Sequence, residues 1–330
     1  MRIVLLGPQR RPTLAGVARS LLAGPGAGDP GAGGPGAGGP VAAITAGWQE
    51  REPDDAELSR VLDGRDVNLR LYERWLDVRD RVPEYAAGAG RLEDVLAELQ
   101  ELYLTRLDYA LRTVYALQYR EPGDELRSEA MSEAVAVVRE LDATHLRRVN
   151  EARLEFFDQL RPHDRPVIAE YRAAVSEVLA DAAALVIAGG HVGVLAEVLH
   201  LFNVAAALNG AAPNPAAPNG APVIAWSAGA MTLTDRIVLF HDRAPQGAGH
   251  PEVYGSGLSV VRDVVLLPHA RARLLLDDTP RMAVFARRFA PARCVPLEAG
   301  TRIDVSADGA WPPGIRVLGE DGHMSAREAA

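Results

Sequence analysis

The chain has 330 residues, 48% of them apolar, a net charge of −9 and a single cysteine. That length and apolar content supports one large α/β domain or two smaller ones, the acidic balance argues against a nucleic-acid partner, and the lone Cys294 excludes an internal disulfide and fits a reducing compartment. All 35 basic residues are arginine, which excludes Schiff-base lysines, Ser–Lys dyads and P-loop lysines.

Residues 2–7 read as a buried first strand ending in Gly7, and Thr13 to Leu22 as a short helix. The apolar run at Ile3 to Leu6 is too short for a secretory signal, Arg10 and Arg11 interrupt the segment after it, and no apolar stretch is long enough to span a bilayer. A cytoplasmic protein with no membrane partner is the expectation. Gly24 to Pro40 is almost entirely Gly, Ala and Pro and reads as a mobile loop. A second strand, Val41 to Thr45, ends at Ala46-Gly47-Trp48. Arg10 and Arg11 follow the first strand, and Trp48 and Gln49 the second, which places all four at one sheet edge. An arginine there is a candidate for bidentate binding of a substrate carboxylate; a solvated pair on a loop is the plainer alternative.

From about Val67 to Asp181 the sequence is charged and helix-favouring. Leu92, Leu96, Leu99, Tyr103, Leu107, Ala110, Val114 and Leu117 recur at steps of three and four, giving one apolar stripe on a long helix that ends at Pro122-Gly123. Val138, Leu141, His145, Val149, Ala152 and Phe156 continue the periodicity on a second helix, and residues 166–180 supply a third. This predicts a helical hairpin or small bundle beside the sheet, with His145 as a core or interface histidine.

Ala184 to Ala188 is another strand, leading through Gly189-Gly190-His191 into a helix to about Asn203. After the Pro/Asn-rich segment 209–222 comes Val223-Ile224-Ala225-Trp226-Ser227-Ala228-Gly229-Ala230: a short apolar strand, one serine, then small residues opening a helix. That is the pattern of a nucleophile elbow, in which a sharp turn exposes the serine oxygen. The alternative is an ordinary strand-to-helix turn that Ser227 caps. A serine needs a base, and the base an orienting carboxylate. Thr234 to Phe240 is strand-like and ends in His241-Asp242, while Val261 to Leu267 ends in Pro268-His269. The carboxyl ends of strands in a doubly wound sheet converge on one edge, which makes Asp242 and His269 the candidate partners of Ser227. His241 and His250 are rival bases. Cys294 sits in a strand and reads as a small buried hydrophobe. In the tail, Cys294 to Leu297, Thr301 to Val305 and Ile315 to Leu318 predict a terminal antiparallel hairpin.

The elbow Trp226-Ser227-Ala228-Gly229-Ala230, the Gly189-Gly190 turn and Pro268-His269 resemble the peptidase E and cyanophycinase family, serine hydrolases with a class I glutamine amidotransferase-like fold. The resemblance covers roughly residues 1–50 and 184–322; the helical segment has no counterpart in it. It implies an α/β three-layer sandwich with a mostly parallel sheet, residues 1–66 and 182–330 forming the hydrolase domain and 67–181 an inserted helical subdomain. Carried over by position, it makes Ser227 the nucleophile, His269 the general base and Asp242 the orienting acid, with the N–H groups of Ala228 and Gly190 as oxyanion hole. Two positions depart from the family pattern: Ala225 stands where glycine is usual, and His191, a candidate substrate contact, replaces asparagine. The expected reaction is cleavage of an amide bond in a small peptide or peptide-like substrate, with no metal and no organic cofactor. The rival reading is a catalytically inactive module of the same fold whose long helices bind a partner or a second copy in a homodimer.

Overall fold

The structure, a computed structural model, describes residues 1–9, 16–17, 39–120, 125–208, 221–243, 249–306 and 309–326. Strands β1 (Ile3–Leu6), β2 (Val41–Ile44), β3 (Asp66–Asn68), β4 (Ala184–Ile187) and β5 (Val223–Trp226) run parallel in a sheet of order β1-β5-β4-β2-β3. Every residue of β1, β2, β4 and β5 is buried. That is why these strands read as unbroken apolar runs: central parallel strands are covered on both faces.

Successive side chains feed two different cores. Leu5, Ile44, Ile187 and Ala225, aligned across the register, enter the larger one. Val4, Ala43, Val186 and Ile224 enter the smaller one, which Leu58 and Leu62 close from the helix Ala56–Val61 and the turn after it. The result is an α/β fold with a mostly parallel sheet.

The helical segment begins one strand later than its expected start, because β3 pairs in parallel with β2 before the helices open at Leu71. Four helices follow, Leu71–Arg81, Pro83–Gln118, Glu125–Leu160 and Pro166–Asp181. The two long ones pack antiparallel as a hairpin. Tyr103, Leu107, Leu111 and Val114 are buried against Met131, Val135 and Val138 and belong to the same core as the sheet. The predicted stripe is therefore core within one chain from Tyr103 to Val114, with Leu111 rather than Ala110 fully buried, whereas Leu92, Leu96 and Leu99 are half-buried and lie outside that core. His145 is buried there too, stacked on Tyr103 with ring centroids 4.1 Å apart. Among the described residues no helix is long and apolar enough to cross a membrane.

The C-terminal third departs most from expectation. Among the described residues β6 (Ile237–Leu239) pairs with β7 (Glu252–Gly255), in a separate two-stranded ladder. β8 (Val264–Pro268) pairs in parallel with β9 (Arg293–Leu297) in a second sheet. Of the three expected tail strands the first, β9, still pairs antiparallel with the third, Arg316–Leu318, while the middle one, β10 (Arg302–Val305), crosses to the main sheet and lies antiparallel to β1. There its alternation of buried Ile303 and Val305 with Arg302 and Asp304 suits an edge strand with one covered face. The antiparallel hairpin at the end is β11 (Arg316–Leu318) with β12 (Met324–Ala326).

Asp304 ties this edge down. Its carboxylate accepts two bonds from Arg302, at 2.7 and 2.9 Å, and two from Arg2, at 2.5 and 3.1 Å. The Arg302 bonds, opposed by partial burial and aided by Arg2, hold its pKa down at about 2. A depressed carboxylate stabilises the fold above its unfolded pKa and loses that effect as pH falls through the folded value. Thermal melts of Asp304→Asn should thus show a lower Tm than the parent at pH 7 and a difference that vanishes near pH 2. A difference independent of pH contradicts this.

Candidate active site

At the end of β5 the chain turns through Ser227 into the short helix Ala228–Thr232. Ser227 has φ 52° and ψ −121°, a conformation that costs a non-glycine residue about 1–3 kcal/mol and persists only where its surroundings impose it. Those surroundings are visible. The Ser227 N–H donates to the Leu6 carbonyl at 3.2 Å, and the Ser227 carbonyl accepts from the Met231 N–H at 3.1 Å. The side chain makes no capping bond to the helix, so Ser227 is not the ordinary helix cap that the octapeptide also allowed.

Neighbouring turns press on this bend, which accounts for its small residues. A Cβ at Gly229 would stand 2.5 and 2.6 Å from the carbonyl oxygens of Ile187 and Ala188; one at Gly189 would stand 3.0 Å from the Ser227 Cβ. Gly190 has φ +129° and abuts the Gly47 carbonyl, which accepts the His191 N–H at 2.7 Å. Only glycine serves at 190, both for the dihedral and for the space. Among the described residues neither the Gly190 nor the Ala228 N–H has a hydrogen-bond partner. Ala225, the departure from glycine, is fully buried in β5, and its methyl is part of the larger core.

His191 caps the helix Val192–Leu201: its Nδ1 accepts the Val194 N–H at 3.1 Å. In the neutral ring Nε2 then carries the proton, a donor at an exposed position beside the glycine turn. Tyr254 joins this site although no local signal marks a tyrosine on a strand for such a role. Its hydroxyl reaches Gly193, where a Cβ would meet it at 2.6 Å and the His191 ring at 3.2 Å. Burial raises the pKa of that phenol, which keeps the hydroxyl a donor. Trp48 lies in the turn Ala46–Arg51 after β2, half-buried against the smaller core, and Gln49 beside it has φ 58° and ψ −127°. Arg10 and Arg11 lie outside the described residues.

His269 follows β8 with φ 58° and donates its N–H to the Leu297 carbonyl at 3.1 Å. The turn after β9 links it to the serine. Gly7, next to the Leu6 that holds Ser227, donates to the Thr301 carbonyl at 2.9 Å and leaves no room for a Cβ beside the Glu298 carbonyl. Pro268 is in register with Leu297, so His269 and Glu298 are the next positions past two paired strand ends. The Glu298 Oε1 accepts the Arg271 N–H at 2.7 Å. No motif in its strand marks Glu298 as a site residue.

Asp242 is engaged by groups outside the proposed triad. Its fully buried carboxylate accepts from Arg281 Nη2 at 2.6 Å and Nε at 3.1 Å, and from the Leu275 N–H at 3.1 Å. Those bonds make it an anchor for the segment 274–281. β6, whose end carries Asp242, lies in its own ladder, and β8, whose end carries His269, lies in the second sheet, so neither belongs to the main sheet that carries Ser227. The rival bases fare no better: His241 is exposed, and His250 bonds to Asp108 on the helical hairpin at 3.3 Å. Burial pushes the Cys294 thiol up to about 12, far from a thiolate nucleophile.

No protein-family model matches the chain. No curated protein matches it either. Among solved structures, the crystal structure of a peptidase from an acI-B1 actinobacterium is similar over 100% of this chain and 94% of its own, with a TM-score of 0.45 and 13% identity.

Proposed function

We propose that the chain is a serine hydrolase that cleaves an amide bond of a small peptide or peptide-like substrate through an acyl-enzyme on Ser227. The observation that carries this reading is the strained Ser227 backbone, imposed between a buried strand and a helix and left with a hydroxyl that caps nothing. The mostly parallel sheet, with the serine at the end of one of its strands, supports the amidotransferase-like class implied by the motifs; His269 follows β8 of the second sheet.

In this mechanism the Ser227 Oγ attacks the scissile carbonyl carbon while His269 takes the hydroxyl proton. The Ala228 and Gly190 N–H groups receive the oxyanion. His269 then returns the proton to the leaving amine, and water repeats the sequence to release the acid. Glu298, adjacent to His269 in strand register, takes the orienting role first expected of Asp242. The module reading keeps a basis of its own: Leu92, Leu96 and Leu99 of the stripe are half-buried and stand outside the core, and Val95, Leu102 and Tyr109 on the same helix are exposed.

A fluorophosphonate probe tests the reading. Labelling that disappears in Ser227→Ala supports it; absence of labelling in folded protein sinks it. The two acids separate by a second measurement. Glu298→Gln should lower kcat by about 10²–10⁴-fold with little change in Tm, in line with triad-acid replacement. Asp242→Asn should lower Tm through its Arg281 bonds and leave kcat within a few-fold. The reverse pattern returns the acid role to Asp242.

A further inference from the structure

Beside the candidate site a cavity of about 520 Å³ opens between β10, β11 and the segment after His269. Its walls are mainly apolar: Leu276, Ile315 and Met324 are half-buried and Ile303 is buried. Arg271 and Arg316 also line it, and among the described residues neither guanidinium is engaged by a carboxylate. Of the other charged residues in the lining, Arg302 and Asp304 pair with each other, Arg2 also holding Asp304. The Glu298 carboxylate, which receives the Arg271 N–H, stands at the edge nearest His269. The volume falls within the range of small-molecule sites and suits one or two amino-acid residues.

Its position matters as much as its lining. Arg271 is two residues beyond His269, and Glu298 stands next to His269 across the strand register. In acyl transfer the protonated base must reach the departing amine, so the leaving fragment lies on the side of the histidine. We infer that this cavity is the leaving-group pocket, taking an apolar residue with a free carboxylate, the C-terminal residue of a short peptide, with Arg271 and Arg316 as its anion donors. The inference rests on the serine-hydrolase reading for its role and on the cavity's own chemistry for its ligand. Arginine suits the task because its planar fork binds carboxylate through two parallel bonds.

The test is calorimetric titration of the Ser227→Ala protein with N-acetylleucine and with N-acetylleucinamide, which lacks the charge. The acid should bind at least about tenfold more tightly than the amide, a difference of about 1.4 kcal/mol. Arg271→Gln/Arg316→Gln, two exposed positions whose replacement leaves the fold intact by circular dichroism, should erase that difference. Equal binding of acid and amide, no binding of either, or a difference that survives the double substitution overturns the inference. Fluorophosphonate labelling of the parent protein runs alongside. If labelling succeeds and the acid does not bind, the pocket alone fails. If the acid binds and labelling is absent, the hydrolase reading fails and the cavity stands as a carboxylate site.

Discussion

Alanine at position 227 should lower kcat by about 10⁴- to 10⁶-fold and leave KM within a few-fold, as removal of a triad nucleophile does elsewhere. Deleting Oγ removes the acyl-enzyme route while the binding surfaces and the two N–H donors at Ala228 and Gly190 stay in place. The same position carries a stability signature of its backbone, independent of the chemistry of Oγ. Because φ 52° with ψ −121° is hostile to any side chain, Ser227→Gly should be more stable than Ser227→Ala by about 1–3 kcal/mol. Urea midpoints of the two variants measure this directly. If alanine and glycine give the same midpoint, the strain assigned to the turn is not there.

The largest loss of stability should come from Asp142→Ala. Asp142 and Arg288 are each 3% exposed and share two bonds of 2.7 Å. Arg288 also donates to the Pro251 carbonyl at 2.6 Å and to the Tyr103 hydroxyl at 2.8 Å, and that hydroxyl donates to Asp142 at 2.8 Å while accepting the Val253 N–H at 3.2 Å. One cluster thus locks both long helices to β7 and to the helix Thr279–Phe289. Removing the carboxylate leaves a buried guanidinium without its counter-charge, a loss of about 3–5 kcal/mol. Asp142→Ala combined with Arg288→Met should recover most of that, because neither charge then remains buried alone. A single variant as stable as the parent contradicts the assignment, and so does a double variant no better than the single.

These two sites differ in how far they could be read from sequence. The turn at Ser227 is a local event: an apolar strand, one hydroxyl and small residues on both sides already demand a tight crossing, and the fold supplies the carbonyls of Ile187 and Ala188 that Gly229 must avoid. The Asp142–Arg288 pair joins positions 146 apart in the chain. Asp142 sits on the helix beside Leu141 and reads there as an ordinary charged residue of a solvated face. Only the arrival of the helix Thr279–Phe289 makes it an interior group.

The order of residues was enough for whatever depends on neighbours a few positions away: the four-residue apolar strands, the three-and-four periodicity of the long helices, the glycines where backbones cross. Which strand ends meet was settled by long-range packing alone. Placing β6 in its own ladder sent Asp242 to Arg281, and pairing β8 with β9 brought Glu298 beside His269. Sending β10 back to β1 took the middle strand out of the expected tail pairing, left β9 beside β11, and built one wall of the arginine-lined cavity. The reason is physical. Backbone dihedral preference and side-chain periodicity act over one turn or one pleat, whereas strand pairing and burial of charge depend on contacts whose partners are far along the chain and leave no mark on the local pattern.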